Sequence, residues 1–155
     1  VLAVAGGAHR SESVANALEL CGEEIVVVHD AARPLVTPKL INAVIDRLLS
    51  DQEAAAAIAA APVTDTIKQA SEGDQVERTL DRAALWAIQT PQAFRADALR
   101  EALSDPDSLS TATDDAMLVE RRGGRVLIHP APAENIKVTT PIDLRVAELL
   151  LRERA

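Results

Sequence analysis

Ile25-Val26-Val27-Val28, followed at once by His29-Asp30-Ala31-Ala32-Arg33-Pro34, is the stretch on which the reading of this 155-residue chain turns. A continuous β-branched run of this length is what a parallel strand covered on both faces requires. A carboxylate and a guanidinium three residues apart, just past the carboxyl end of such a strand, can bind a polyol hydroxyl and a phosphate side by side. Pro34 stiffens the loop that carries them. The same spacing also fits a local Asp–Arg pair that only braces the loop.

Working outward, Val1–Ala5, Ala54–Ala61, Leu85–Gln89 and Arg125–His129 also have strand length, although propensity alone leaves Ala54–Ala61 open between strand and helix. Helix-period segments lie between them. Ser13–Cys21 places Val14, Ala17, Leu18 and Cys21 on one face, and Thr37–Leu49 does the same with Leu40, Ile41, Val44, Ile45, Leu48 and Leu49. Pro141–Arg152 is expected to turn Leu144, Ala147, Leu150 and Leu151 inward. Thr37-Pro38 and Thr140-Pro141 each set a capping hydroxyl before a proline at the first helical position. The alternation predicts one three-layer α/β domain over residues 1–155 with a mostly parallel sheet, whose ligands sit beyond the strands' carboxyl ends. Thr64–Arg82 interrupts it: a polar stretch with a turn at Glu72-Gly73-Asp74 and strand-like flanks Thr66–Gln69 and Gln75–Thr79, it is read as a protruding hairpin arm. Asp105–Thr113, with Pro106, is read as a loop.

Composition narrows the function. A net charge of −8 argues against a nucleic-acid partner, whose binding relies on clustered Lys and Arg. Trp86 and Phe94 are the only aromatic residues, so platforms for stacked bases are missing and the core must be aliphatic. Cys21, the single cysteine, rules out an internal disulfide and a cysteine metal cluster and fits a reducing compartment. No apolar run approaches the roughly 20 residues of a membrane span, and the protein is read as soluble and cytoplasmic. Because Val1–Ala5 already reads as a strand and no Met precedes it, the chain is expected to be the C-terminal portion of a longer domain.

Two further clusters accompany the Asp30–Arg33 loop. Gly6-Gly7-Ala8-His9-Arg10 follows the first apolar run and leads into a helix, where Ser13 can act either as a cap or as a hydrogen-bond partner for a base. Asn135-Ile136-Lys137-Val138-Thr139-Thr140-Pro141 sets a lysine beside a capped helix start. Together with Pro62-Val63, Asp65-Thr66 and Lys68, Asp81-Arg82 before Leu85-Trp86, Thr90-Pro91-Gln92 with Phe94, Thr113-Asp114-Asp115-Ala116 and Asp143-Leu144, these stretches resemble the 2-C-methyl-D-erythritol 4-phosphate cytidylyltransferases of the non-mevalonate isoprenoid pathway. They occur in the family's order and span nearly the whole chain.

The resemblance implies a Rossmann-like nucleotidyltransferase fold and transfer of a cytidylyl group from CTP to 2-C-methyl-D-erythritol 4-phosphate, with release of pyrophosphate and help from a divalent cation, Mg2+. Gly7, Ala8, Ser13, Ala31 and Lys137 match nucleotide-binding positions. Asp30, Arg33, Thr66, Arg82, Thr90, Thr113 and Lys137 match positions that hold the polyol phosphate, with Lys137 and Arg82 as the catalytic pair. Thr66 and Arg82 match an arm that reaches the second subunit, which implies a homodimer. The family's first strand and glycine-rich, triphosphate-gripping loop have no counterpart here, so this chain is expected to hold about half of a site and to turn over poorly. Two other readings stay open: a ribitol-phosphate or other polyol-phosphate cytidylyltransferase, and a non-catalytic truncated domain.

Overall fold

The computed structural model describes residues 1–71, 74–105 and 112–154. In chain order these form α1 (Arg10–Leu18), β1 (Ile25–Val28), α2 (Pro38–Leu49), β2 (Ala54–Pro62), β3 (Lys68–Ala70), β4 (Val76–Thr79), a 3-10 turn (Arg82–Ala84), β5 (Trp86–Arg95), α3 (Ala96–Ala102), α4 (Asp115–Arg121), β6 (Arg125–Pro130) and α5 (Pro141–Arg154). The main sheet runs β1-β5-β2-β6. β2 and β6 pair in parallel, whereas β5 is antiparallel to both β1 and β2. Three strands therefore point one way and one opposes them. The sheet is mostly parallel, as expected.

The alanines of β2 explain why it is a strand. Ala56 and Ile58 face one core with Leu18 of α1, Phe94 of β5, Leu99 of α3 and Leu118 of α4. Ala54, Ala57 and Ala59 face a second core with Leu40, Val44 and Leu48 of α2 and Leu127 of β6. Small side chains on both faces let helices approach the sheet closely from each side, and burial settles a state that propensity leaves open. The result is three layers, helix–sheet–helix.

Several local expectations are corrected. Val1–Ala5 forms no strand: its apolar side chains are exposed, and the segment leans on α1, where Asn16 Nδ2 donates to the Ala5 carbonyl at 3.1 Å. α1 opens at Arg10 rather than Ser13, because the Glu12 carboxylate accepts from the backbone N–H of Ala8 at 2.6 Å and of His9 at 3.3 Å and so satisfies free donors at the helix start. β1 pairs antiparallel, and Val27 is 36% exposed, so this strand is not covered on both faces among the described residues. The run read as Leu85–Gln89 continues through Thr90, Pro91 and Gln92 to Arg95, held by β2 on one side and β1 on the other.

The hairpin of Thr64–Arg82 is present as β3 and β4, a separate two-stranded sheet with every strand residue exposed. Glu72 and Gly73 of its expected turn, and most of the expected loop at Asp105–Thr113, lie outside the described residues. No helix among the described residues is long and apolar enough to cross a membrane.

Both helix starts read from Thr-Pro are correct. Thr37 accepts from Leu40 N–H at 3.2 Å, while at α5 the Asp143 carboxylate accepts from Thr139 N–H, Thr139 Oγ1 and Thr140 N–H at 2.8–3.0 Å. The inward faces were drawn too wide. In α2 Leu49 is exposed; in α5 Ala147 is buried and Leu150 half-buried, but Leu144 and Leu151 are exposed.

The backbone and hydroxyl donors of Thr139 and Thr140 hold the Asp143 carboxyl at about 2, below its ordinary 3.8. A carboxyl depressed in the folded state stabilises the fold above its ordinary value, and that contribution fades as pH falls toward 2. The protection of amides in the first turn of α5, relative to their intrinsic exchange at each pH, should accordingly fall between pH 4 and 2 in the wild type. Asp143→Asn should remove most of that pH dependence; an unchanged profile in the variant would show that the cap contributes nothing there.

Candidate functional site

The carboxyl end of β1 delivers Asp30 into a cluster of cations. Its carboxylate lies 3.0 Å from Lys137 Nζ, 3.6 Å from Arg10 Nε and 3.8 Å from Arg33 Nε. Burial pushes the Asp30 carboxyl up, but the hydrogen bond and charge of Lys137, with Arg10 and Arg33 behind it, outweigh burial and hold it below the usual carboxylate range. Arg33 is itself largely buried, and burial lowers its guanidinium, offset only in part by Asp30. It remains charged, as arginine does in proteins.

A buried hydrogen-bond network fixes these groups. Arg33 NH1 donates to the Asn135 carbonyl at 2.7 Å. The Asn135 side chain, 1% exposed, donates to Gln89 Oε1 at 2.8 Å and to the Thr90 carbonyl at 2.9 Å. Thr90 in turn accepts from Asp30 N–H at 3.0 Å and lies 3.0 Å from His29 Nδ1. His29 Nε2 is 3.1 Å from the Arg33 carbonyl, which can only accept, so Nε2 carries a proton toward it while Nδ1 faces the Thr90 hydroxyl.

Thr90 reaches this position because β5 bulges. Between the pairs Ile58↔Gln92 and Ala60↔Ile88, β2 spends one residue where β5 spends three, Gln89, Thr90 and Pro91. A bulge re-aims side chains locally.

The network walls a cavity of about 540 Å³ lined by Asp30, Arg33, Thr90, Thr113 and Lys137, with Arg10, Gln89, Gln92, Asp114 and Glu120 completing its polar rim. Five of the residues matched to polyol-phosphate positions therefore converge. Thr66 and Arg82 do not line this cavity: both are exposed at the arm, where Arg82 donates to the Thr64 carbonyl at 2.7 Å. Of the nucleotide positions, Ser13 and Ala31 line an adjoining, mostly apolar groove of about 430 Å³ between α1 and β1. Gly7 and Ala8 are exposed, and their N–H groups are taken by Ser13 Oγ and Glu12 Oε2. Glycine is required at position 7, since a Cβ there would fall 2.3 Å from Glu12 Cβ.

From the sequence, Gln92, Asp114 and Asp115 are read only as members of the matching stretches, with no role of their own, and Gln89 only as a strand end. Gln92 and Asp115 are 1% and 0% exposed, Gln92 Nε2 reaches Asp114 at 3.1 Å, and Asp115 meets Arg10 at 2.6 Å. The available signal was polar side chains set into otherwise apolar strand and helix faces, which are expensive to bury without partners.

No group of three metal-ligating side chains is present among the described residues, and Asp30, the carboxylate nearest the cluster, is turned toward three cations. The described residues thus form no cage of this kind for a divalent cation.

A family model described as 2-C-methyl-D-erythritol 4-phosphate cytidylyltransferase matches residues 1–153. The chain is 50% identical over 152 residues to the protein of that name from Rubrobacter xylanophilus and 46% identical over 152 residues to that from Bacillus velezensis, in each case across 96% of this chain and 64% of the relative. It spans, then, 64% of the length of these curated relatives. The crystal structure of the cytidylyltransferase from Thermus thermophilus matches with a TM-score of 0.81 at 40% identity, over 95% of this chain and 71% of that one. For the protein from Francisella tularensis the values are 0.82 and 34%, over 93% and 69%.

Removing the Asn135 side chain would strand buried acceptors on Gln89 and Thr90, a penalty of about 1–3 kcal/mol. Urea unfolding of Asn135→Ala should show a loss of that order, with no comparable loss for the exposed neighbour change Glu134→Ala. Equal midpoints for the two variants would overturn the network's structural role.

Proposed function

The chain belongs to the 2-C-methyl-D-erythritol 4-phosphate cytidylyltransferase family, and from that membership we propose that the protein joins the cytidylyl group of CTP to 2-C-methyl-D-erythritol 4-phosphate with release of pyrophosphate. The observation that carries the proposal is the convergence of Asp30, Arg33, Thr90, Thr113 and Lys137 on one cavity. An oxygen of the polyol phosphate attacks the α-phosphorus of CTP, and the new P–O bond forms as the bond to the bridging oxygen of pyrophosphate breaks. Both reactants are anions, so positioning and charge neutralisation dominate and no covalent protein intermediate is needed.

The residues divide the work by their commitments. Arg33 is tied to the Asn135 carbonyl and faces Asp30, so it acts as a fixed positive wall more than as a free fork. Lys137 spends one donor on Asp30 and keeps two for phosphate oxygens, with nearly half its side chain exposed. Asp30 and Thr113 are left to take the polyol hydroxyls, while Thr90, already engaged by Asp30 N–H and His29, shapes the wall beside them. Mg2+, which would neutralise charge on the nucleotide, is proposed to arrive on the triphosphate, as is common for this ion. The free, exposed Cys21 supports a cytoplasmic setting.

We further propose a homodimer in which the arm supplies Thr66 and Arg82 to the partner's site. Its support is that both residues stand on or beside a fully exposed hairpin, outside the cavity that holds the other matched residues.

In the complete gene product, Lys137→Ala should lower turnover of CTP with the polyol phosphate about 10²–10³-fold, the usual cost of one well-placed electrostatic donor. Lys39→Ala, at an exposed position of α2, should change it little. Equal small effects would return Lys137 to an ordinary surface lysine.

For the dimer, Arg82→Ala and Asp30→Ala chains, each nearly inactive, should regain about a quarter of wild-type activity when mixed and allowed to exchange, because a random heterodimer holds one doubly defective and one intact site. If nothing returns although mass spectrometry confirms exchange, Arg82 serves its own subunit or no site.

A further inference from the structure

Arg10 bridges two carboxylates that the chain brings together from far apart. Its NH1 lies 2.6 Å from Asp115 Oδ2 at the start of α4, and its Nε lies 3.6 Å from Asp30 Oδ1 past the end of β1. Asp115 is fully buried, its Oδ1 has no partner, and Arg10 is its ion-pair partner among the described residues. Such a carboxylate is costly unless a cation is fixed against it, so Asp115 anchors Arg10 as much as Arg10 satisfies Asp115. Burial works against the charge on Arg10, but Asp115 and then Asp30 outweigh it and raise the guanidinium above its ordinary value. Burial pushes the Asp115 carboxyl up, and Arg10 pulls it back. Arg10 and Asp30 line both the polar cavity and the apolar groove, so the anchor sits where the two meet.

We propose that Arg10, held by Asp115, is a positioning residue that orients the Asp30 carboxylate and through it the Lys137 ammonium; what that pair then binds rests on the function proposed above. Asp30 meets cations from three elements: Arg10 from α1, Arg33 from its own loop and Lys137 from the segment before α5. Of these, Arg10 alone is secured to a buried counter-charge, whereas Lys137 is nearly half exposed. His29 beside Asp30 is occupied by Thr90 and the Arg33 carbonyl, and Asp114 and Glu120 stand farther along the cavity wall. Without Arg10, the Asp30 carboxylate loses one of the three cations that fix it, and Lys137 follows it into solvent.

The test uses Arg10→Gln, Arg10→Lys and Asp115→Asn in the complete gene product. Two readouts are taken: NMR titration of the Asp30 carboxyl carbon without ligand, and calorimetric binding of 2-C-methyl-D-erythritol 4-phosphate. Arg10→Gln should move the Asp30 titration upward and Arg10→Lys should restore most of it, because the charge returns. Arg10→Gln and Asp115→Asn should each weaken binding about tenfold, equivalent to about 1.4 kcal/mol. Arg10→Lys should recover only part of that affinity, since lysine cannot span both carboxylates with a planar fork. An Asp30 titration that stays put in Arg10→Gln, in a chain whose amide spectrum shows it folded, overturns the positioning role whatever the ligand. If the titration moves but wild-type protein binds no polyol phosphate, the positioning role stands and the functional reading falls.

Discussion

The Asn135 carboxamide is the constraint on which the site depends. Its two N–H donors hold Gln89 and Thr90 on the bulge of β5, while the carbonyl of the same residue receives Arg33 from the loop after β1. One buried side chain and its own backbone thus lock together three stretches separated by tens of residues, and Lys137 stands two positions further on. In a low-dielectric interior such bonds are individually strong, and their loss leaves unpaired groups behind. The site is therefore braced where it is buried and open where Lys137 emerges, a division that suits the proposed function of recognising a phosphate and releasing a larger product.

Local electrostatics reconciles the anionic substrates proposed above with a chain of net charge −8. Overall charge acts at long range and is screened beyond about 8–10 Å at ordinary ionic strength. Inside the cavity the relevant arrangement is local: Arg10, Arg33 and Lys137 gather around Asp30, while Asp114 and Glu120 also line the wall and Asp115 lies behind Arg10. The cations are thus clustered at Asp30 and not in excess. The carboxylates hold the cations in place, and under the proposed function an arriving phosphate would compete for the same donors instead of meeting unpaired buried charge.

Periodicity made the order of strands and helices readable, and the Thr-Pro pairs marked the starts of α2 and α5, because those signals are local. Two features were not local. β5 reads as ending near Gln89 because Thr90-Pro91-Gln92 is a polar interruption with a proline, yet pairing with β1 and β2 carries the strand through it. Likewise, the direction of β1 depends on which strand lies beside it, and a β-branched run looks the same in either ladder. Leu49, Leu144 and Leu151 were placed inward by helical period alone, which gives the apolar side of a helix but not how much of it a neighbour covers. Among site residues, Asp30, Arg33 and Lys137 stand beside strand or cap signals, whereas Gln92 and Asp115 appear in the sequence only within matching stretches, and the part they and Gln89 play in the buried network shows only once burial is known.

The bulge in β5 connects these points. A regular strand across β2 would alternate its side chains between the two cores, and Thr90 would have to join one of them. Two extra residues opposite Ala59 break that alternation, so Ala93 and Phe94 resume opposite cores beyond it while Thr90 turns to Asp30 and His29. The local loss of ladder bonds is offset by Asn135, which takes up the Thr90 carbonyl that the irregularity would otherwise leave buried without a partner. The bulge and Asn135 therefore form one device: without the amide the bulge would be costly, and without the bulge the amide would have nothing to hold beside the cavity.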